Sequence, residues 1–408
     1  MTTIEADLTW TGERFERGIQ VLCRGDTIRH VGALGRKVDV RLRERALLPG
    51  FVNAHSHAFQ RGLRGLGEVP GSFWSWREGM YRLAEGLVEE SFRAISIDAF
   101  REMRAAGITT VGEFHYLHHG GAKEDFRFDE VILGAAAEAG VRIVLLLAYY
   151  NAGGFGKALE PRQRRFRTVS RERYWRQVDH LATLAKVGAA VHSVRAASRE
   201  ELRDIAREAK RRGMVFHLHL EEQRREIDEC VAAYGVRPMR LLLDHVDVDG
   251  SVTAVHCTHT APEEMDAFRE RGGRVCLCPL TEANLGDGIG DAGRMGARCL
   301  GSDGNARISM FEEMRWLEYA QRLRREERGV LEPKALLDAA TVEGARALGV
   351  PAGRIAPDCW ADLVAIDLGA PSLRGRTDET LLGSILFGSG ESLIAESCVG
   401  GRWLECPP

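Results

Sequence analysis

The sequence predicts an α/β fold: a (β/α)8 metal-dependent hydrolase barrel of the TIM type, with a small β-sandwich built from both termini. Three observations carry that expectation. Eight short β-rich runs alternate with longer amphipathic segments, the pattern of a parallel sheet, and eight is the number that closes a barrel. Histidines and acids gather at the carboxyl ends of those runs. The two ends of the chain hold short β-like pieces and no long helix.

Taken in order, the β-rich runs cover residues 50–57, 108–116, 141–150, 189–194, 214–220, 252–259, 273–279 and 298–303. Helical periodicity fills 91–106, 127–139, 171–186, 199–212 and 263–271 between them. Gly107, Gly140 and Gly213 end such segments just before the next run, as a helix C-cap requires. The barrel is expected over 50–352. Residues 1–49, with turns at Gly25-Asp26 and Gly32, and residues 353–408, with β-like pieces at 361–367 and 392–404, are each too small to bury a core alone. They are expected to pair into one composite domain.

The chain's 408 residues would allow two or three domains at about 150 residues each, and a barrel can absorb roughly 250 of them. Apolar residues make up 44% and charged ones 28%, values ordinary for a globular protein with a sizeable core. A formal net charge of −3 leaves no global positive field for nucleic acid or an anionic membrane. The cations are 50 Arg and 6 Lys, a skew that fits GC-rich coding DNA. The longest apolar run, near 141–150, is too short to span a bilayer, and residues 1–7 carry acids with no secretory pattern. Nine scattered cysteines do not form a disulfide framework. A reduced cytoplasmic protein is expected.

The chemistry sits at strand ends. His55 and His57 are two apart, so in a strand both imidazoles point the same way and offer a bidentate start for a divalent ion. His217 and His219 repeat the spacing in the fifth run; His256 and His259 end the sixth; Asp303 ends the eighth. All lie on the face where barrel enzymes build their sites. A zinc held by three imidazoles and one carboxylate, with a position left for water, is a hydrolytic centre. Packing or surface roles suit His30, His118, His119, His180 and His245, although His118 and His119 follow a strand end and could rim the site. Cys257, Cys276 and Cys278 are read as small core residues. A packing role for His55, His57, His219, His256 and Asp303 would require five coincidences at strand ends.

The run Leu48-Pro49-Gly50-Phe51-Val52-Asn53-Ala54-His55-Ser56-His57 resembles the opening signature of the amidohydrolase superfamily, and residues 340–349 with Ala361-Asp362-Leu363-Val364 resemble its closing one. Within that superfamily the matching is densest with the branch that deiminates formiminoglutamate in histidine degradation. It runs through residues 55–61, 73–78, 113–119, 192–196, 217–223, 281–288 and 315–319. One departure is Gly304-Asn305 after Asp303, where relatives are expected to carry Ser-His or a similar polar pair; it puts loop contacts in doubt and not the chemistry.

The resemblance implies that His55, His57, His219 and Asp303 hold one Zn2+ per chain, with Fe2+ or another divalent ion as the alternative. It implies that Glu222 shuttles protons, with Glu221 its solvated neighbour. His256 would hydrogen-bond the reacting water or the developing oxyanion, and Gln60, Arg77, Tyr116, His192 and Arg195 would bind substrate. Arginine suits a substrate with two carboxylates because its planar fork donates two parallel hydrogen bonds to one of them. Arg195 follows the fourth run, whereas Arg77 lies in a long, aromatic, Gly-rich stretch, so one anchor is expected to be rigid and one mobile. Asp303 would accept the water's proton and Glu222 would protonate the departing nitrogen. No lysine ends an expected strand, which argues against a second ion. The expected partner is a small anionic substrate, with neither nucleic acid nor membrane, and the expected assembly a homodimer. A ring-amidine deaminase would instead need a flat apolar slot, and an inactive scaffold would have lost ligands; here none is lost.

Overall fold

The computed structural model describes residues 1–66, 68, 71–121 and 123–405. Eight parallel strands follow one another around a cylinder: β1 Phe51–Ser56, β2 Ile108–His115, β3 Arg142–Tyr149, β4 Lys186–Ser193, β5 Phe216–Leu220, β6 Val252–His256, β7 Arg274–Leu277 and β8 Arg298–Leu300. Every expected run is a strand, displaced by a few residues at its ends. The helices that matter below are α1 Phe73–Gly86, α2 Glu89–Ala105, α3 Arg127–Ala139, α4 Arg171–Leu181, α5 Arg199–Arg211, α6 Arg224–Tyr234, α7 Pro238–His245, α8 Pro262–Glu270, α9 Pro279–Leu285 and α10 Met310–Arg325. The fourth helix is shorter than its periodicity suggested, because Lys186 already belongs to β4.

Local chemistry explains several boundaries. Gly140 ends α3 at φ +75°, a left-handed conformation in which its N–H reaches the Ala136 carbonyl at 3.0 Å. α5 starts with a reciprocal cap: Ser198 Oγ accepts from the Glu201 N–H at 3.2 Å, and Glu201 Oε2 accepts from the Ser198 N–H at 2.8 Å. α2 and α3 pack through Phe92 and Phe128, fully buried rings stacked at 4.2 Å.

The cylinder's seam lies between β8 and β1. Their ladder is a single bridge from Ser56 to Asp303, with the His57 N–H donating to the Asp303 carbonyl at 2.9 Å and the Asp303 N–H to the His55 carbonyl at 3.0 Å. Gly301 is required at this closure, since a Cβ there would lie 2.7 Å from the His55 carbonyl oxygen.

Strands from both ends of the chain form one mixed sheet of eight, in the order Arg402–Glu405, Ile394–Val399, Leu363–Asp367, Val40–Pro49, Thr2–Trp10, Gln20–Arg24, Thr27–Gly32, with Phe15–Glu16 attached to Thr2–Trp10. Alternation along Leu363–Asp367 gives the sheet two apolar faces. Leu363 and Ala365 join Ile4, Ala6 and Val21 in a cluster inside the sheet, while Val364 and Ile366 join the barrel's core. Val40–Pro49 lies in the middle of this sheet and runs through Gly50 directly into β1. The eight described cysteines are free, and among the described residues no helix is long and apolar enough to cross a membrane.

Candidate active site

Ligand atoms of His55, His57, His219 and Asp303, which come from β1, β5 and the turn after β8, lie within 4.8 Å of one another. The imidazoles are oriented from behind. His57 Nδ1 faces the Phe114 carbonyl at 2.8 Å and His219 Nδ1 the His192 carbonyl at 2.7 Å, so each carries its proton there and presents an Nε2 lone pair forward. Those two Nε2 atoms stand 3.2 Å apart, His55 Nε2 is 3.1 Å from His219 Nε2, and Asp303 Oδ1 lies 3.3 and 3.2 Å from the Nε2 atoms of His55 and His57. Acceptors facing one another at such distances repel unless a cation sits among them. The donor set therefore fits a divalent ion of the zinc class.

The electrostatics agree. Burial pushes His55 down to about 3, and burial with the neighbouring His55 holds His219 well below its ordinary value. Both stay neutral, the form that ligates metal. Burial alone would raise Asp303, but the neighbouring His55 and His57 imidazoles outweigh it and hold the carboxylate well below the usual range. Backbone strain clusters here too. Glu221, His256 and Asp303, at the ends of β5, β6 and β8, have φ of +52°, +74° and +42°. Such conformations persist where the surroundings over-determine them, as at functional sites.

Beside the cluster opens a cavity of about 560 Å³, bounded by His57, His219, Asp303, Glu222, His256, Gln60, Arg77, Tyr116, His192 and Arg195, and by Phe73, Trp76, Met80, Tyr81, Tyr150, Phe166 and Leu285. All the residues expected to bind substrate thus face the cluster. Gln60 Nε2 donates to the Tyr116 hydroxyl at 2.7 Å. His256 Nε2 stands 3.8 Å from both Glu222 Oε1 and Asp303 Oδ2, and its Nδ1 is 3.3 Å from Glu282 Oε1. Burial would lower His256, but Glu222, Glu282 and Asp303 outweigh it and lift it to about 10, a protonated imidazolium. Burial raises the Glu222 carboxyl above its ordinary value, against the opposing pull of His256.

Five expectations are corrected. The stretch carrying Arg77 is helix α1, so this arginine stands on a regular element, its guanidinium carbon 5.4 Å from the Trp74 ring centroid. Glu221 is not solvated: it is fully buried, accepts from the Met239 N–H at 3.2 Å and faces Arg237 at 3.7 Å. His217 turns away from the cluster and bonds the Ala347 carbonyl at 2.9 Å, so the second His-x-His is not a ligand pair. β6 stops at His256, leaving His259 beyond the strand and outside the ligand cluster. His118 and His119 do not rim the cavity; they hold the Ala148 and Arg167 carbonyls at 2.9 and 2.8 Å.

Some site residues were not singled out from the sequence, or were noted only as a departure from relatives. Glu282 lies in a segment whose pattern was matched, but nothing in the pattern says it turns back to His256. Asn305 is fully buried. Its Nδ2 donates to Ser56 Oγ at 3.1 Å and to the His57 and Asp303 carbonyls at 3.0 Å each, and its Oδ1 accepts from Ser302 Oγ at 2.6 Å. The Gly-Asn departure thus rivets the seam between the ligand-bearing strands. Glu226, on the first turn of α6, is 1% exposed with both oxygens unbonded, 3.5 Å from Arg195 Nε.

The family model described as the amidohydrolase family matches residues 46–402, and the chain belongs to that family; it is a hydrolase. It is 39% identical over 387 residues to the formimidoylglutamate deiminase of Pseudomonas aeruginosa, covering 88% of this chain and 84% of the relative. Identity to the 5'-deoxyadenosine deaminase of Methanothermobacter thermautotrophicus is 28% over 337 residues, or 80% of this chain and 74% of the relative. Among solved structures, an amidohydrolase from Brucella melitensis superposes with a TM-score of 0.90 at 33% identity, over 99% of this chain and 94% of that one. A zinc-bound adenosine deaminase from Xanthomonas campestris shares the fold, with a TM-score of 0.84 at 23% identity over 98% and 92% of the two chains.

Proposed function

We propose that the protein hydrolyses N-formimino-L-glutamate to N-formyl-L-glutamate and ammonia, as a zinc-dependent deiminase of histidine degradation. The observation that carries this reading is one cavity holding both the His55, His57, His219 and Asp303 cluster and two arginines, Arg77 and Arg195. The relative named formimidoylglutamate deiminase supports the substrate. An ion held by the four ligands would make a water acidic enough to lose its proton near pH 7.

The protein's own groups supply the rest. Arg77 and Arg195 clamp the two carboxylates, with Gln60, Tyr116 and His192 completing the substrate's surroundings. Asp303 takes the water's proton as the formimino carbon is attacked. His256, charged and facing Glu222 and Asp303, donates a hydrogen bond to the oxygen on which negative charge builds. Two nitrogens then compete to leave. The clamp holds the glutamate nitrogen on the arginine side, the terminal nitrogen extends toward Glu222, and proton delivery there releases ammonia.

The test is product analysis with N-formimino-L-glutamate: ammonia and N-formyl-L-glutamate are expected, and formamide with glutamate would refute the assignment of the acid. Aromatic side chains around the cavity and the 28% identical 5'-deoxyadenosine deaminase favour a second reading, deamination of a ring amidine. Faster turnover of 5'-deoxyadenosine than of N-formimino-L-glutamate would establish it.

A further inference from the structure

Behind Arg77 lies a buried amide whose hydrogen bonds involve two phenols of the cavity wall. Gln163 is buried in the short 3-10 turn Pro161–Phe166, and its Oε1 accepts from the Glu160 N–H at 2.9 Å. That bond fixes which way the amide faces, so its nitrogen must do the donating on the other side. Gln163 Nε2 donates one proton to the Tyr81 hydroxyl at 3.1 Å and the other to the Tyr150 hydroxyl at 3.0 Å. Each phenol oxygen is thereby an acceptor toward Gln163, and each keeps its own proton to donate elsewhere. Both phenol oxygens accept from Gln163, and both tyrosines line the cavity. Arg77, which adjoins both phenols, can only donate. A bond between the phenols would use one of the two protons and leave the other.

We propose that Tyr81 and Tyr150 are specificity-determining residues that donate hydrogen bonds, beside Arg77, to one carboxylate of the substrate, and that Gln163 is the positioning residue that aims their protons into the cavity. The inference rests on the two-carboxylate substrate of the proposed function. It adds neutral donors to the cationic clamp, so that an anion is met by an arginine and at least one phenol. Tyr81 is two helical turns beyond the α1 cap and Tyr150 follows β3, so the donors stand on the scaffold on two sides of Arg77.

The closing experiment measures glutarate binding calorimetrically to the zinc-loaded enzyme, with KM and kcat for N-formimino-L-glutamate measured alongside. At least one of Tyr81→Phe and Tyr150→Phe is expected to weaken glutarate binding by about tenfold or more, the worth of a hydrogen bond to a charged group. The decisive comparison is between two substitutions of one residue. Gln163→Leu removes the amide and lets the phenols turn, and should weaken binding by about threefold to fivefold. Gln163→Glu puts an acceptor where a donor stood, draws the phenol protons away from the cavity and should weaken binding by more than about thirtyfold, raising KM more than it lowers kcat. A merely structural role would make Leu the worse substitution, in step with loss of thermal stability. Overturning results are equal effects of Leu and Glu, wild-type affinity in both Phe variants, or no glutarate binding by the wild type. Glutarate binding without turnover of N-formimino-L-glutamate would leave the subsite standing and sink the proposed substrate.

Discussion

Glu222 can be tested by a substitution that keeps its shape. It faces the cavity, its carboxyl is raised by burial, and it is not one of the four clustered ligand residues. Glu222→Gln keeps the shape and cannot carry a proton, so kcat is expected to fall by about 10²- to 10⁴-fold while metal content stays at the wild-type level. Turnover near the wild-type rate would show that another group is the acid. Arg195→Met should raise KM by an amount equivalent to roughly 2 to 5 kcal/mol, part of it from the substrate carboxylate left unpaired. Steady-state kinetics on purified variants checks both. Glu222 and Arg195 were legible through the resemblance of their segments to the family, and His55 with His57 through their spacing on a strand; the same spacing misled at His217 and His219, because His217 turns away to the Ala347 carbonyl. Glu282, Tyr81 and Gln163 were not legible, because what matters about each is which distant group it meets, and no spacing rule records that.

The helix carrying Arg77 shows why an element can stay hidden. In Phe73–Gly86 the buried positions are Phe73, Met80, Tyr81 and Ala84, a proper helical stripe. Trp74 and Trp76 stand partly exposed on other faces and blur it, and the cap is made by Ser75 Oγ accepting from the Ser72 N–H at 2.8 Å, with no glutamate to announce it. α5, with its Ser-x-x-Glu start, and α3, with its terminal glycine, were readable for the converse reason.

α6 brings a carboxyl into the interior that should register in stability. Glu226 is lifted to about 7 by burial, against the opposing pull of Arg195. A carboxyl whose folded pKa exceeds its unfolded value of 4.5 holds its proton longer in the native state, so native stability falls as pH rises from 4.5 to 7. The contribution is about 3 kcal/mol at 1.36 kcal/mol per unit. Urea denaturation of the wild type and Glu226→Gln across that range should show the difference narrowing or reversing by this amount; parallel profiles would mean an ordinary, ionised carboxylate. Between α2 and α3, Phe92→Ala removes one of two stacked, fully buried rings and should cost about 3 to 5 kcal/mol by the same measurement, with KM unchanged.

At the scale of the whole molecule, three groups of side chains among the described residues could offer ligands to an ion. In one of them, His115 Nε2 and His118 Nδ1 face Asp129 Oδ1 at 3.0 and 2.9 Å and His118 Nε2 faces the Ala148 carbonyl at 2.9 Å, so the group is knit together by its own hydrogen bonds. In another, burial holds the Cys278 thiol well above its ordinary value, and that group shares Asp303 with the main cluster. Metal analysis should therefore return one tightly bound ion per chain, and His118→Ala should leave that stoichiometry unchanged. Binding that favours the native state by a thousandfold excess over the dissociation constant stabilises by about 4 kcal/mol. Chelation should lower Tm accordingly, and a second essential ion would contradict the assignment.

The seam gives that last expectation a mechanical side. Seven of the eight neighbouring strand pairs are joined by ladders of at least three residue pairs, whereas β8 and β1 meet at one bridge, and the candidate ligands His55, His57 and Asp303 straddle it. An ion bound there is a clasp on a hoop. It would fasten the barrel at its least-sewn edge, with Asn305 as the stitch beside it. Ion loss should then be felt first as loosened amide protection along β8 and β1, while the ladders from β2 to β6 keep theirs. On the proposed function, any substitution that slackens the hoop would spoil the reaction at once, because the wall would close at the place where the bond is to be broken.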